Sequence, residues 1–438
     1  MTYYLRTALR ALFFRHANPL AILCIYILVF ILSPCRAADR RADRIELNDR
    51  ISLVQSRTFP KIAVISFAGN YDDPVQQREL AKADLLILGA ATAPVSAVRA
   101  LKALNNRQLI GLYTVLNEAR KVSHVPLTKE RTAKLDFQGW WLKNARGEPQ
   151  RWTSKFDTWD INVTDWAKPD ADGLRYPEWV AGLWFRHLFS LVPEADIWFF
   201  DNLFVHQRIQ SADWVGTGVD QSGSDPSIQR AFRVGQRKEI EAARQLAPNL
   251  LFVANADNDL SSSEYQYALN GGLLECMVGQ RWSLETRTGW QMMMQTYKRV
   301  VENLRSPALT IFGLCMKDET NYSELRYSLA SALMGGGYFQ VSDQSSTYRK
   351  NIWFDEFRVD LGQPIDPAFP SSLKNGAYAR RFENGIVVLN PTARILKIDV
   401  GKFYRHFHGT QDPIVNSGKA VEGEFALPAR DAVILIRR

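Results

Sequence analysis

The sequence predicts an α/β fold, a (β/α)8 TIM barrel followed by a small C-terminal all-β domain. Three observations support this prediction. Eight short apolar runs recur between residues 61 and 343. Helical patterns lie between most of these runs, as is typical of parallel strands covered by helices. From residue 377 onward, strand-like runs separated by turn signals replace this alternation.

The eight apolar runs are continuous rather than alternating, which indicates strands buried on both faces. Eight strand–helix units close into a barrel more economically than they spread into an open sheet. The runs are KIAVISFAG (61–69), ADLLILGA (83–90), QLIGLYTVLNE (108–118), ADIWFFDN (195–202), NLLFVANAD (249–257), GLLECMVG (272–279), PALTIFGLC (307–315) and GGYFQVSD (336–343).

Five stretches between these strands have helical periodicity. Asn321 and Glu324 form a capping box at the start of the last one. The stretches are PVQQRELAKA, PVSAVRALKAL, PSIQRAFRVGQRKEIEAARQL, TGWQMMMQTYKRVVENL and YSELRYSLASALM.

The segment between the third and fourth strands is much longer than one helix needs. Long irregular insertions in compact domains are usually functional. This one is rich in tryptophan, whose rings stack on the C–H faces of sugars. One interpretation is a sugar-binding surface that includes Trp140, Trp141 and Trp159; the other is a satellite core beneath the loop.

The N-terminus has the features of an export signal. Arg6, Arg10 and Arg15 precede an apolar run at 19–34, and Ala37 follows as a small residue for cleavage. The run is long enough that an uncleaved inner-membrane anchor is the alternative. We expect an exported protein, periplasmic or extracellular, that is anchored to the inner membrane if the segment is retained.

The domain boundaries follow from these patterns. Residues 1–38 are the signal peptide or membrane anchor, and 39–60 a linker. Residues 61–365 are the catalytic barrel, and 366–438 a C-terminal β-sandwich-like domain.

Charge, cysteine and histidine usage limit the function classes. The net charge is +8, but four arginines lie in the export segment, and no basic run with interleaved aromatics predicts nucleic-acid binding. Beyond that segment only Cys276 and Cys315 remain, and an oxidising compartment would permit a bond between them. Six histidines without an HxxxH pair argue against a His-built metal centre, so we predict no metal and no cofactor. The sequence leaves the oligomeric state open.

Polar side chains stand where the predicted strands end. In a TIM barrel, catalytic residues lie at the C-terminal ends of the strands. We therefore expect this set to surround the substrate. The set comprises Asn117 and Glu118 after strand three, Asp201 and Asn202 after strand four, Asn255 and Asp257 after strand five, Glu275 in strand six, and Asp343 after strand eight.

Two of these carboxylates suit glycoside hydrolysis, in which one attacks the anomeric carbon and the other protonates the leaving oxygen. Asp201 ends the most aromatic strand and is assigned as nucleophile. Glu275 lies in apolar company, where desolvation would raise its pKa and suit it to be the acid/base.

Each assignment has a structural alternative. Asp201 could cap the following helix, and Glu275 could form a buried salt bridge, for example with Arg281. Glu118 is the reserve carboxylate, with an exposed loop acid paired with Arg120 or Lys121 as its alternative.

Beyond these single residues, the order and spacing of longer stretches resemble a known family. They are WWLKNARGEPQRW, DINVTDW, ADIWFFDN, LLECMVG, ALMGGGYFQVSD, WFDEFRVDLGQP and YARRFENGIVVLNPT. Residues 60–438 thereby resemble the hypothetical glycosyl hydrolase family 15, which is related to α-galactosidase-type barrels. The resemblance implies retaining action on α-linked sugars, with the nucleophile at the end of strand four, Asp201, and the acid/base at the end of strand six, Glu275.

Two functions from different classes follow. The first is an exported glycoside hydrolase that cleaves α-glycosidic bonds in a polysaccharide or oligosaccharide. The second is a non-catalytic polysaccharide-binding or exopolysaccharide-assembly factor. They differ in whether Asp201 and Glu275 face each other across one pocket. A metal-dependent phosphoesterase or deacetylase is disfavoured by the scarcity of histidine, although an Asp/Asn site for a hard cation stays open.

Overall fold

Eight parallel strands form a closed barrel in the computed structural model, which describes residues 47–67, 69–89, 95–343 and 348–438. The strands are β1 (Lys61–Ser66), β2 (Leu85–Leu88), β3 (Leu109–Val115), β4 (Ile197–Asp201), β5 (Leu251–Asn255), β6 (Gly271–Val278), β7 (Leu309–Met316) and β8 (Tyr338–Asp343). Each pairs with its sequence neighbours, and β1 closes the ring on β8. The predicted TIM barrel is therefore confirmed, and the C-terminal strand ends share one mouth.

Helices cover the outside of the barrel along most of the chain. They are α1 (Pro74–Leu80), α2 (Val95–Leu104), α3 (Pro126–Gln138), α4 (Tyr176–Trp184), α5 (Pro226–Leu246), α6 (Leu284–Thr288), α7 (Trp290–Glu302) and α8 (Tyr322–Gly335). At the start of α5, Asp225 accepts a hydrogen bond from the Ser227 amide, which satisfies one of the free donors of the first turn. Asn321 caps α8 through the Glu324 amide, as the capping box predicts.

The long insertion between β3 and β4 contains more regular structure than the sequence predicted. It holds α3 and α4, and α4 continues into a π-helical turn at Phe185–Phe189. A two-residue strand, Glu118–Ala119, pairs with a second one, Trp159–Asp160. This pairing brings the tryptophan-rich segment back to the end of β3.

The C-terminal region adds a small antiparallel sheet, as predicted. Its strands are β9 (Tyr378–Phe382), β10 (Gly385–Asn390), β11 (Leu396–Ile398), β12 (Tyr404–His406), β13 (Phe425–Leu427) and β14 (Asp431–Arg437). The four-stranded sheet has the order β9–β10–β14–β12, and β11 pairs with β13.

Side chains alternate between two cores along the C-terminal sheet. On β10, Val387 and Leu389 belong to the same buried apolar cluster as the barrel strands. Their neighbours Ile386 and Val388 face a second, smaller cluster. One face of the sheet thus continues the main core, and Arg50–Arg438 forms one compact unit.

The predicted export segment, 1–38, lies outside the described residues. Residues 47–55 are helical, whereas the sequence predicted a linker over 39–60. Within the described part of the chain, no helix is both long and apolar enough to span a membrane.

Candidate active site

Asp201 and Glu275 lie side by side at the mouth of the barrel. The side-chain amide of Asn255, on the strand between them, donates to Asp201 Oδ1 and to Glu275 Oε2, each at 3.1 Å. The two carboxylate oxygens therefore lie no more than twice that distance apart. Because a planar amide points its two hydrogens about 120° apart, the separation is about 5 Å.

Two tyrosine hydroxyls complete the hydrogen bonds of this pair. Tyr113, on β3, donates to Asp201 Oδ2 at 2.5 Å. Tyr348, beyond β8, donates to Glu275 Oε1. The Phe67 ring packs edge-on against both tyrosines, with centroids 5.0 and 5.6 Å away. Each carboxylate is thus oriented by one phenol and by one hydrogen of the shared amide.

Burial changes the acid–base properties of the site. It raises the pKa of Asp201 to about 6, an effect opposed by the Tyr113 hydroxyl and reinforced by the nearby charge of Glu275. The raised pKa thus falls on the residue assigned as nucleophile. Burial also raises the pKa of the Tyr113 and Tyr348 hydroxyls well above their ordinary value, so both stay protonated donors at neutral pH.

A bulge in β6 presents Glu275 to the mouth. The pairing of β6 with β7 shifts register between Leu274 and Val278, so that β6 carries extra residues here. Cys276 has a φ of 46°, which is uncommon for a residue other than glycine. Bulges re-aim side chains next to active sites. We take this one to be the local reason that a carboxylate can leave an otherwise apolar strand.

The neighbouring strand holds the bulge in place. Cys276 and Cys315 form a disulfide between β6 and β7, with their Cα atoms 4.9 Å apart. The Ser283 hydroxyl donates to the Cys276 carbonyl at 2.5 Å. A Cβ on Gly313 would meet Cys276 N and Leu274 O at 3.0 Å, so the bulge lies almost directly on the β7 backbone.

Glu118 is buried in a polar network beside the pair and is not an exposed loop acid. It accepts hydrogen bonds from Trp152 Nε1 at 2.7 Å, Thr158 Oγ1 at 3.0 Å and Asn202 Nδ2 at 3.3 Å. Asn117 Nδ2 in turn donates to the Asn202 carbonyl at 3.2 Å. Asn202 has a φ of 53°, a left-handed conformation that asparagine tolerates better than most residues. These residues brace the end of β4 that carries the nucleophile candidate.

Asp160 is a site residue that sequence reasoning missed. It accepts a hydrogen bond from the Trp152 amide at 2.9 Å. Burial, reinforced by the charge of Glu118, raises the pKa of Asp160 to about 8. The available signal was a carboxylate next to Trp159 in the insertion, but its pairing with the end of β3 could not be seen in the sequence.

Two of the three predicted sugar-binding tryptophans are core residues. Trp140 is 1% exposed and Trp141 is 5% exposed, and their indoles donate to Lys168 O and Asp136 Oδ1. Both side chains belong to the main buried cluster that includes the barrel strands, so they are part of the central core rather than of a separate satellite core beneath the loop. Trp159 is half-buried between the cations of Lys121 and Arg151.

A cleft of about 810 Å³ opens beside the carboxylate pair, with Asn255, Glu275 and Asp257 in its wall. Asp257 forms an ion pair with Arg208, whose guanidinium lies over the Phe204 ring with 3.5 Å to the centroid. Asp343 ends β8, half-buried. Among the described residues, no group of three or more His, Cys, Asp or Glu is placed to hold a metal ion.

Two solved structures to which the chain is similar at low sequence identity are a glycoside hydrolase domain and an α-amylase. The glycoside hydrolase domain of PelA from Pseudomonas aeruginosa is 14% identical, with a TM-score of 0.44 over 66% of this chain and 97% of that one. The α-amylase from Geobacillus thermoleovorans, complexed with acarbose, is 9% identical, with a TM-score of 0.46 over 86% and 98%. No curated protein matches the chain.

A family assignment rests on the sequence itself. Residues 118–386 match hypothetical glycosyl hydrolase family 15. The match spans more than half of the chain and includes both carboxylates of the pair. The chain therefore belongs to hypothetical glycosyl hydrolase family 15, and by family it is a glycosyl hydrolase.

Proposed function

We propose that the protein is an exported, retaining glycoside hydrolase that cleaves α-glycosidic bonds in a polysaccharide. Asp201 is the nucleophile and Glu275 the acid/base. The observation that carries this proposal is the single amide of Asn255, which bonds both carboxylates at 3.1 Å. A non-catalytic polysaccharide-binding protein would have no need of such a pair.

The separation of the pair supports retention. Retaining enzymes hold their carboxyl groups about 5–5.5 Å apart, whereas inverting enzymes leave about 6.5–9.5 Å for a water molecule. At about 5 Å, the pair matches the first class. The α configuration rests on the family resemblance alone.

The chemistry then follows in two steps. Asp201 attacks the anomeric carbon while Glu275 donates a proton to the leaving oxygen, which gives a covalent glycosyl-enzyme. Glu275, now ionised, removes a proton from water, and that water breaks the glycosyl–Asp201 bond. Tyr113 and Asn255 stabilise the Asp201 carboxylate when it departs from the sugar.

Export is supported by two features. The arginine-flanked apolar segment at 19–34 is typical of an export signal. The Cys276–Cys315 disulfide belongs to an oxidising compartment.

The test compares the wild type with Asp201→Asn and Glu275→Gln on aryl α-glycosides and α-linked polysaccharides. Each variant should lose activity by more than about a hundredfold. Glu241→Gln, on the exposed face of α5, is the matched carboxylate control and should retain the wild-type rate. Proton NMR of the first product should show the α anomer. Wild-type rates in both site variants, or a β anomer as first product, would refute the proposal.

A further inference from the structure

The connection between β5 and β6 departs from the barrel pattern. Residues 256–270, all of them described, contain no helix. The cleft that begins at Glu275 continues along this flank to Thr296 and Arg299 of α7. Val300, at the far end of the cleft, lies against Gly272 of β6, where an added Cβ would be 3.4 Å from the Val300 side chain. Gly272 precedes Glu275 by three residues, so the far end lies roughly 10 Å along β6 from Glu275. The cleft is therefore elongated and leads away from the carboxylate pair.

Unpaired positive charge lines the flank. Arg287 and Arg299 are both exposed in the cleft wall, and neither forms an ion pair within the described residues. The Arg299 guanidinium makes one hydrogen bond, at 2.9 Å, to its helix neighbour Thr296. Most of the guanidinium donors of both residues therefore point to solvent.

The acids of the flank are already engaged. Asp257 is paired with Arg208. Asp259 accepts hydrogen bonds from the amide and hydroxyl of Ser261, at 2.8 and 2.6 Å. A ligand in this part of the cleft would thus meet two arginines with free donors and two carboxylates that are already hydrogen-bonded.

Trp282 adds an aromatic surface at the rim. It belongs to the loop that follows β6, lines the same cleft and is 56% exposed, unlike the buried Trp140 and Trp141. Exposed aromatic rings next to a carbohydrate-hydrolysing site suit stacking on a pyranose face.

We propose that this flank is a subsite for an acidic glycan, whose carboxylated sugars pair with Arg287 and Arg299 while one ring stacks on Trp282. The proposal rests on the proposed function, because the flank opens directly from Glu275. Guanidinium groups bind carboxylates through paired, charge-assisted hydrogen bonds, which gives the arginines both affinity and orientation. A chain held along the flank would place an internal linkage over the carboxylate pair.

The test measures binding without cleavage. The full chain carrying Asp201→Asn is titrated calorimetrically with an α-1,4-linked oligogalacturonate and with its methyl ester, which has the same backbone without charge. The acidic probe should bind about tenfold more tightly than the ester. Added salt should weaken binding of the acidic probe but not binding of the ester.

Substitutions in the same background locate the subsite. Arg287→Gln and Arg299→Gln should each weaken binding of the acid about two- to fivefold. Trp282→Ala should weaken both probes about two- to tenfold. Lys298→Gln removes a charge from the same helix outside this cleft and should leave the affinity unchanged.

The result can be separated from that of the catalytic proposal. Equal affinity for acid and ester, no binding of the acidic probe, or an arginine double variant that binds like Lys298→Gln would overturn the acidic subsite. None of these results depends on bond cleavage. Full hydrolytic activity in Asp201→Asn would instead refute the catalytic assignment and leave the binding measurement valid.

Discussion

Removing the Tyr113 hydroxyl should shift the acid limb of the pH–rate profile to higher pH. In Tyr113→Phe, Asp201 loses the hydrogen bond at 2.5 Å that opposes the effect of burial on its pKa. In the proposed mechanism Asp201 must be ionised to attack, so the acid limb of kcat/KM should follow the pKa of Asp201 in the free enzyme. In the wild type that limb should lie near pH 6.

The size of the move follows from the hydrogen bond. A hydrogen bond to a charged group contributes about 1.5–3 kcal/mol, and one pKa unit corresponds to about 1.4 kcal/mol. The limb should therefore rise by about one to two pH units. At pH 6 the variant should work at between about a tenth and a hundredth of its own high-pH rate, whereas the wild type works at about half.

The assay is kcat/KM from about pH 4 to 9 on the best substrate of the panel. Tyr327→Phe is the matched control, because Tyr327 is a buried tyrosine that donates to a carboxylate outside the pair, Glu285. That control should keep the wild-type limb. An unmoved acid limb in Tyr113→Phe would refute the reasoning. A move of the basic limb instead would show that Asp201 acts as the proton donor and that the two roles are exchanged.

Four further predictions follow from buried charge and from the bulge. Because the pKa of Asp201 is raised from 3.8 to about 6, the wild type loses stability as the pH rises through this range. Between pH 4 and 7, the free energy of unfolding of Asp201→Asn should therefore rise by up to about 3 kcal/mol relative to the wild type, as measured by thermal unfolding. Glu239 is buried with no hydrogen-bond partner in the described chain, and its pKa is raised from 4.5 to about 8. Glu239→Gln should therefore suppress the fall in Tm that the wild type shows as the pH rises from about 5 to 8. Replacing both Cys276 and Cys315 with Ala should lower kcat about 10- to 100-fold with little change in KM. The reason is that the bulge that presents Glu275 loses its covalent bond to β7. Gly313→Ala should lower kcat in the same way, because its Cβ would press on the backbone of the bulge, while a thiol assay should find the same number of free thiols as in the wild type.

The barrel could be predicted because its determinants are local in the sequence. Each strand is a continuous apolar run, and α1, α2, α5 and α7 follow periodic patterns close to the predicted stretches. In α8 every residue from Leu325 to Gly335 is buried, so its start is indicated by the Asn321–Glu324 capping box rather than by one apolar face. The two helices of the insertion lack such a pattern. In α3 only a few positions are buried within a polar stretch, and α4 is apolar on nearly every side, so neither has one clear apolar face.

The site was harder to predict because its contacts join distant parts of the chain. Strand position alone brought Asp201, Asn255 and Glu275 into the candidate set. Nothing in the sequence marked Tyr348, which follows β8, as the donor to Glu275. The bulge in β6 was likewise unpredicted, because it depends on close contact with Gly313 on the neighbouring strand.

The side chain that bonds both Asp201 and Glu275 determines whether one of the two acids can keep its proton. A lysine at position 255 would favour ionisation of both carboxyls and would leave no proton for the leaving group. An apolar side chain would leave the two acids without a shared anchor. The Asn255 amide supplies two donors without a full charge, so it fixes the spacing while one carboxyl can keep its proton. The neutrality of this donor is therefore as necessary to the proposed mechanism as the two acids themselves.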